Sequence, residues 1–249
     1  MNCLKKEKKK ELSKNRKLDV ATNFALVAIV VSVGVVCLFP INSAVTADGR
    51  EENVYRSAGV ETDGVSLMFN VYWGTEEVYR ILDTLKAHEA KATFFIGGSW
   101  ADDNVACLND VLSNGHELGN HGYFHKDHAK LTLSENLEEI GNCTRFIELA
   151  TGYKPTLFAP PSGAYDGETL EAVEKLGLKT VLWSRDTIDW RDKNASLVYS
   201  RATKDIQGGE FVLKHPMQAT ADALGDILDY YKKNGLRAVT VSENLEKKG

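Results

Sequence analysis

The chain has 249 residues, of which 43% are hydrophobic and 26% charged, proportions that favour a globular protein with one large domain. The first twenty residues hold eight of the 30 basic side chains and three of the 35 acidic ones, which leaves 22 basic and 32 acidic residues for the rest. That remainder carries about ten net negative charges, a balance that argues against nucleic acid as a partner.

The N-terminal region has the pattern of a membrane-directing segment. Residues 1–20 form a basic tail, predicted to be cytoplasmic, and residues 21–41 form a signal anchor or a signal peptide. Within them, residues 24–41 run without a charge, long enough to cross a hydrocarbon core of about 30 Å. Small residues at Val45 and Ala47 also allow signal cleavage, so anchor and cleaved signal both remain open. The domain that follows is expected to be extracytoplasmic, either membrane-anchored or secreted.

Residues 42–63 are predicted to be a linker, since most of them are polar or acidic and show no periodicity. Residues 64–246 then alternate between strand-like and helical patterns. Strands are predicted at 65–69, 92–96, 117–119, 156–158, 180–183, 211–213 and 238–241. Helices are predicted at 76–89, 105–112, 133–149, 169–176, 197–206 and 223–231.

This alternation predicts parallel strands joined by right-handed crossovers, in either a doubly wound open sheet or a barrel. Polar residues follow several strands, and in a barrel such residues collect on the face formed by the carboxyl ends of the strands. The site residues predicted in this way are Asn70, His121, His125, Asp189 and His215.

His121 and His125 place two imidazoles four residues apart. Four of the six histidines of the chain fall within residues 116–128, a clustering that scattered surface histidines rarely show. A surface loop with incidental histidines remains the alternative for this pair taken alone. The neighbouring segments therefore decide between a metal site and a loop.

Those segments resemble the polysaccharide deacetylase family, with its NodB homology domain, also called carbohydrate esterase family four. The similar segments are 91–97 (KATFFIG), 115–121 (GHELGNH), 158–163 (FAPPSG), 182–190 (LWSRDTIDW), 211–215 (FVLKH) and 240–245 (TVSENL). The resemblance covers residues 64–246 and implies an α/β fold, a distorted parallel (β/α)7-8 barrel. It also implies a metal-dependent hydrolase of amide bonds that deacetylates N-acetylated cell-wall or exopolysaccharide sugars.

The resemblance implies a divalent metal, commonly zinc, held by two histidines that correspond to His121 and His125. The family's first motif carries two neighbouring aspartates, a general base and a metal ligand, where this chain has Asn70 and Val71. Ala159 replaces the arginine that orients the base. The losses are physically coherent, because an arginine without its carboxylate would be an unpaired buried charge.

The proton-donating half of the implied site is retained. His215 corresponds to the general acid, and Asp189 to the carboxylate that raises its basicity. The backbone amide of Ser162 corresponds to the oxyanion donor, which does not depend on a side chain. Without the resemblance, His215 could equally be a satisfied strand-end histidine and Asp189 a helix cap.

Three aromatic residues, Trp73, Tyr165 and Trp190, follow the same strands and are candidates for stacking on sugar rings, although large aromatic side chains more often fill a core. No nucleic acid is expected as a partner. The expected partners are an N-acetylated polysaccharide and, through the N-terminal segment, the membrane.

Two functions compete: a deacetylase with impaired catalysis, and a glycan-binding domain on the same fold that has lost turnover. Asp127, Glu76 or Glu77 could supply a substitute carboxylate, because each follows a relevant strand or the histidine loop. Cys107 and Cys143 do not make a disulfide scaffold, although one bridge between them is compatible with an oxidising compartment.

Overall fold

The computed structural model describes residues 53–58 and 62–246. The predicted basic tail (1–20) and the predicted signal segment (21–41) lie outside the described residues, as does most of the predicted linker. None of the helices in the described part combines the length and the apolar character that a membrane crossing needs.

The described residues form one curled sheet whose named strands all pair in parallel. The strands are β1 Val54–Tyr55, β2 Gly64–Val71, β3 Thr93–Ile96, β4 Glu117–Asn120, β5 Leu157–Phe158, β6 Lys179–Val181, β7 Arg185–Asp186, β8 Phe211–Lys214 and β9 Arg237–Val239. Their order is β1-β6-β5-β4-β3-β2-β8-β7, with β9 paired to β2. The predicted distorted parallel barrel is confirmed, as a strongly curled sheet with helices on its outer face.

Helices connect the strands. They are α1 Thr75–Ala87, α2 Gly98–Ala101, α3 Val105–Ser113, α4 Leu133–Thr151, α5 Gly167–Lys175, α6 Asp189–Asp192, α7 Ala195–Thr203, α8 Gln218–Lys233 and α9 Val241–Glu246. The six longer connecting helices were all predicted from their apolar periodicity, with ends that differ by a few residues. The short helices α2, α6 and α9 were not predicted, since about one turn shows no period.

Strand β2 is the centre of the sheet, and all eight of its residues are buried. Burial on both faces is expected when helices cover one side and the barrel interior the other. Leu67, Phe69 and Val71 join the larger apolar cluster, which includes α1 and α8 side chains, whereas Met68 joins a smaller cluster with Phe95. This alternation assigns the side chains of β2 to the two faces and fixes which of them reach the site.

The helix after the histidine loop begins and ends where local chemistry specifies. Thr132 and Glu135 form a capping box at the start of α4, each side chain bonding the other's backbone N–H. Gly152 ends the helix with φ 75°, a conformation that costs glycine little. The rigid α4 then supports the loop that carries the two histidines.

Strand β1 differs from the linker prediction for residues 42–63. Val54 and Tyr55 pair in parallel with Thr180 and Val181 of β6, and Tyr55 packs against the smaller apolar cluster. Two residues are too few for any alternation to indicate a strand, which is why the sequence pattern did not show it. The sequence also gave no sign of β7, and the strand predicted at 238–241 ends at Val239.

Both cysteines of the described domain, Cys107 and Cys143, are buried and free. Burial raises the pKa of Cys143 to about 12, so its thiol stays protonated. The Cys143 thiol donates instead to the carbonyl oxygen of Ile96, at 3.2 Å. These residues therefore serve as core side chains.

Candidate active site

The predicted site residues meet where the parallel strands end. Strand register pairs Phe69 of β2 with Lys214 of β8, so the next residues, Asn70 and His215, stand side by side on adjacent strands. Asn70 is also paired with Phe95 of β3, and His121 follows the end of β4 beyond it. Asn70 thus lies between His215 and His121 along this edge of the sheet.

His121 is oriented by a single hydrogen bond. Its Nδ1–H donates to the carbonyl oxygen of Ala159 at 2.7 Å, which leaves the lone pair on Nε2 for a ligand. The side chain is 2% exposed, and burial lowers its pKa to about 3. His121 is therefore a neutral imidazole at physiological pH, the form that binds metals.

The spacing of four residues does bring His125 to His121. The two ring centroids lie 5.1 Å apart, with the planes 77° apart. The ring of Tyr72 lies 5.1 Å from that of His125 on another side. The pair sits in a loop rather than on a helix, and His125 itself adopts φ 55°. Burial lowers the pKa of His125, so this imidazole also favours its neutral form.

Two buried residues that were not predicted hold this loop. Asn120 accepts the backbone N–H of Gly122 at 2.7 Å and donates to Thr144 and to the carbonyl oxygen of Ile140 on α4. Glu139, only 3% exposed, accepts the backbone N–H of Phe124. The only feature of the sequence that could have indicated the role of Glu139 is its place on the buried side of α4, where an apolar residue is usual.

His215 and Asp189 form a hydrogen-bonded pair, as predicted. Nδ1–H of His215 donates to Oδ1 of Asp189 at 2.8 Å, and the backbone N–H of His215 donates to Oδ2 at 2.7 Å. The backbone N–H of Trp190 and the hydroxyl of Thr220 also donate to this carboxylate. Burial would raise the pKa of Asp189, but the hydrogen bonds and the charge of His215 outweigh it and hold the pKa below its usual value. The sequence did not identify Thr220 as part of this network.

The indole of Trp73 lies parallel to the imidazole of His215 and is 41% exposed. Its other contacts include Met217, whose sulfur accepts the indole N–H at 3.4 Å. A cavity of about 440 Å³ borders Trp73, Glu77 and Met217. Trp190 is 50% exposed, whereas the Tyr165 hydroxyl accepts a hydrogen bond from Arg56.

The loop that carries Ser162 is a tight turn. Pro161–Gly163 forms a short 3-10 helix, within which Ser162 has φ 56° and Gly163 has φ 68°. The backbone N–H of Gly163 donates to the carbonyl oxygen of Pro160 at 2.9 Å. Ala159, which precedes Pro160, accepts the hydrogen bond that orients His121, so a hydrogen bond connects this loop with the histidine loop.

The three substituted positions are all buried. Asn70 is 3% exposed, and no described residue donates a hydrogen bond to its Oδ1. Val71 and Ala159 are both fully buried, and Val71 packs within the larger apolar cluster. None of these side chains can accept a proton or offer a carboxylate to a metal.

The three alternative carboxylates do not repair the donor set. Asp127 pairs with Lys130 at 2.7 Å, Glu76 is exposed, and Glu77 borders the cavity beside Trp73. Among the residues that the structure describes, no group of three or more His, Cys, Asp or Glu side chains is arranged to hold a metal ion. The residues present therefore fit a metal only as two neutral imidazoles, without a protein carboxylate.

Comparisons with known proteins agree with this geometry. A sequence model described as polysaccharide deacetylase matches residues 58–181. The uncharacterized protein YlxY of Bacillus subtilis is 36% identical over 182 residues, which are 73% of this chain but only 57% of YlxY. A peptidoglycan-N-acetylglucosamine deacetylase of Bacillus cereus is 35% identical over 176 residues, covering 68% of this chain and 82% of that protein.

Among solved structures, a CE4 family pseudoenzyme from Bacillus anthracis is similar to this chain, with a TM-score of 0.75 and 33% identity. The similarity covers 77% of this chain and 68% of the pseudoenzyme. A mutant of the same protein with restored enzymatic activity also has a TM-score of 0.75. The fold is thus shared with a protein that is described as having lost its activity.

Proposed function

Because the chain belongs to the polysaccharide deacetylase family, we propose that it acts outside the cytoplasm on N-acetylated cell-wall or exopolysaccharide sugars and hydrolyses their amide bonds at a strongly reduced rate. One arrangement supports this most directly. The His215–Asp189 pair is fully hydrogen-bonded, whereas Asn70 and Val71 stand where the resemblance implies the base and the metal carboxylate.

His215 would give its proton to the leaving amine, because Asp189 fixes Nδ1 as a donor and leaves Nε2 for the substrate. The substrate would bind in a groove formed by Asn70, His121 and His215 at the carboxyl ends of the strands. Asp189 would stabilise the imidazolium ion. The Asp189 side chain is fully buried and accepts the Thr220 hydroxyl, so water does not compete for the carboxylate. The backbone N–H of Ser162 would donate to the oxyanion. These groups could assist cleavage of a bound amide.

The reduced rate follows from what the buried positions lack. A carboxamide at Asn70 takes up no proton at neutral pH, and positioned general bases typically contribute about 10² to 10⁴ in rate. The side chain of Val71 offers no lone pair to a metal, and the side chain of Ala159 carries no charge that could orient a base. Some turnover could remain from positioning and from the oxyanion donor alone.

His121 and His125 would hold a divalent metal, for which zinc suits two imidazole ligands. Such a metal would supply polarisation of the acetyl carbonyl group. Binding should be weak, because the missing carboxylate would have provided both a ligand and a compensating negative charge. The chain's own contribution is to keep both imidazoles neutral and close together, with their ring centroids 5.1 Å apart.

The location and the substrate class draw on two observations. The basic tail and the apolar segment 24–41 predict export of the domain. The curated relative from Bacillus cereus is named for peptidoglycan N-acetylglucosamine. Since this chain matches only 57% of the length of YlxY, the activity of the whole protein is part of the proposal.

A second candidate function is glycan binding without turnover. It is favoured by the two-imidazole donor set and by the similarity to a CE4 family pseudoenzyme. The groove, its exposed indoles and its amide donors would be the same in both cases. The two candidates differ only in whether acetate is released.

Acetate release and glycan binding should be measured together on the full chain, with acetylated chito-oligosaccharides and added zinc. We expect slow release that the substitution His215→Gln lowers further, while binding changes little. Release that is unaffected by His215→Gln would show that another group protonates the amine. Binding without any release in the parent protein would establish the second candidate instead.

A further inference from the structure

The side-chain oxygen of Asn70 is a buried polar atom without a partner among the described residues. The residue is 3% exposed, and Oδ1 accepts no hydrogen bond from residues 53–58 or 62–246. Leaving such a group unpaired costs about 1 to 3 kcal/mol. Native proteins contain few groups of this kind, and each one calls for a physical explanation.

The neighbours of Asn70 do not satisfy it, although they are close. Adjacent parallel strands lie about 4.8 Å apart, so the register of β2 with β8 places Asn70 next to His215. His215 uses its Nδ1–H on Asp189, and His121 uses its Nδ1–H on the carbonyl oxygen of Ala159. None of the described residues supplies the missing hydrogen bond to Oδ1 of Asn70, so the partner that we infer is a bound ligand.

The chemistry of a carboxamide indicates which partner. It carries both a donor and an acceptor, whereas a carboxylate at the same position could only accept. The acetamido group of an N-acetylated sugar also has one N–H and one C=O, so the two groups can pair reciprocally. Asn70 would then occupy the position of the implied base as a recognition group.

The local charges favour a neutral ligand over an ammonium ion. Ala159 stands where the resemblance implies an arginine and brings no charge. Both oxygens of Asp189 already accept two hydrogen bonds each, so neither is left for the ammonium of a free amino sugar. An ammonium ion bound beside Asn70 would lose its hydration without gaining a partner.

We propose that Asn70 is the specificity-determining residue of this groove, and that it selects sugars carrying an intact acetamido group over the corresponding free-amine sugars. This inference rests on the proposed function, because it needs a glycan in the groove. It goes further in assigning a role to a position that would otherwise count only as a loss.

The test compares the full chain with Asn70→Leu by calorimetry, using chitotetraose and its fully de-N-acetylated form as ligands. The parent protein should prefer the acetylated ligand by at least about tenfold, the effect of a hydrogen bond worth roughly 1.4 kcal/mol. Asn70→Leu should lose most of that preference. It should fold at least as stably as the parent protein, since it removes an unpaired polar atom from the interior.

Thr180→Val provides a matched control, because Oγ1 of Thr180 is also buried and unpartnered. Its register partner Phe158 packs in a cluster with Ile140 and Ala172 of the outer helices, so Thr180 lies on the helix-facing side of the sheet. The control should gain stability without any change in ligand preference.

Two other outcomes would overturn the role of Asn70. A parent protein that binds both ligands equally, or an Asn70→Leu variant that keeps the preference, would overturn the role of Asn70 while leaving glycan binding intact. A parent protein that binds neither ligand would overturn the proposed function together with the inference. Asn70→Asp should also reduce the preference for the acetylated ligand, since a carboxylate attracts the ammonium group of the free-amine ligand.

Discussion

Trp73 covers the imidazole of His215 with its indole, the ring centroids 5.8 Å apart and the planes within 4° of parallel. The two residues come from the ends of adjacent strands, and the hydrogen bond from Trp73 to Met217 ties the indole to the segment that follows His215. The indole of Trp73 is therefore held against the proposed proton donor.

Replacing Trp73 by alanine should weaken binding of acetylated chito-oligosaccharides by about 3- to 10-fold, because an aromatic contact is worth roughly 0.5 to 1.5 kcal/mol. Trp73→Phe should retain part of the affinity. The matched control is Tyr79→Ala, since Tyr79 is 40% exposed against 41% for Trp73 but bonds to Asp110 of α3. Equal losses in Trp73→Ala and Tyr79→Ala would remove Trp73 from the binding surface.

Zinc titration should reveal a weak site that depends on both histidines of the loop. His121→Ala and His125→Ala should each weaken zinc binding at least about tenfold, because either change leaves a single imidazole. His88→Ala serves as control, since His88 lies at the end of α1 and contacts Asp229 instead. Zinc binding that survives both loop substitutions would support the reading of this loop as an incidental surface feature.

The combined substitution Asn70→Asp, Val71→Asp and Ala159→Arg should raise acetate release at least about tenfold over the parent protein, measured with zinc and with chelator. All three changes are needed, because an isolated carboxylate at position 70 would be partly protonated on burial. Ala159→Arg alone should destabilise the fold, since a buried cation would lack its partner.

A second measurement separates repair from simple damage in that variant. Val71 packs among apolar side chains, so an aspartate there should lower stability unless a metal neutralises it. Added zinc should therefore raise the unfolding temperature of the triple variant more than that of the parent protein. A parent protein that releases acetate as fast as the triple variant would mean that another residue acts as base.

The buried His116 should make the domain less stable in acid. It is 5% exposed, and neither ring nitrogen has a partner in the part of the chain that the structure describes. Burial together with the charge of Lys91 lowers its pKa from 6.5 to about 4. Between these pH values the unfolded chain binds more protons than the folded one, so the free energy of unfolding falls as the pH falls from about 6.5 to 4.

His116→Met should remove this contribution, which is worth about 2 kcal/mol near pH 4.5. Urea unfolding at pH 7 and pH 4.5 measures it as the difference between the parent protein and the variant at the two pH values. His88→Met, at a partly exposed histidine, should not reproduce the effect. A pH dependence that is unchanged in His116→Met would mean that the imidazole is hydrated in solution.

The central strands and the placement of His121 and His215 at one edge of the sheet could be predicted, because strand ends on one face follow from the alternation of strands and helices. The pairing of His215 with Asp189 needed the family resemblance, since nothing in the sequence alone relates positions 26 residues apart. The burial of Asn70 and Val71 was not predicted, because the strand predicted at 65–69 ends before them, whereas β2 continues to Val71.

Other features could not be read from the sequence for physical reasons. Asn120, Glu139 and Thr220 act through hydrogen bonds to segments that are distant in sequence, and no local pattern reports such contacts. The left-handed backbone conformation of His125 could not be predicted either, because the sequence does not show which non-glycine residue adopts a positive φ.

Strand β1 also has a bearing on where the chain can be cut. Tyr55 accepts the backbone N–H of Leu182, Ser57 bridges to Glu210, and Ala58 donates to Gly209, so this short segment connects β6 with the start of β8. Cleavage after Ala47 would leave it in place. A fragment beginning at Gly64, where the long central strand starts, would instead lose the segment that pairs with β6, and the uncovered edge of β6 would become free to pair with other chains.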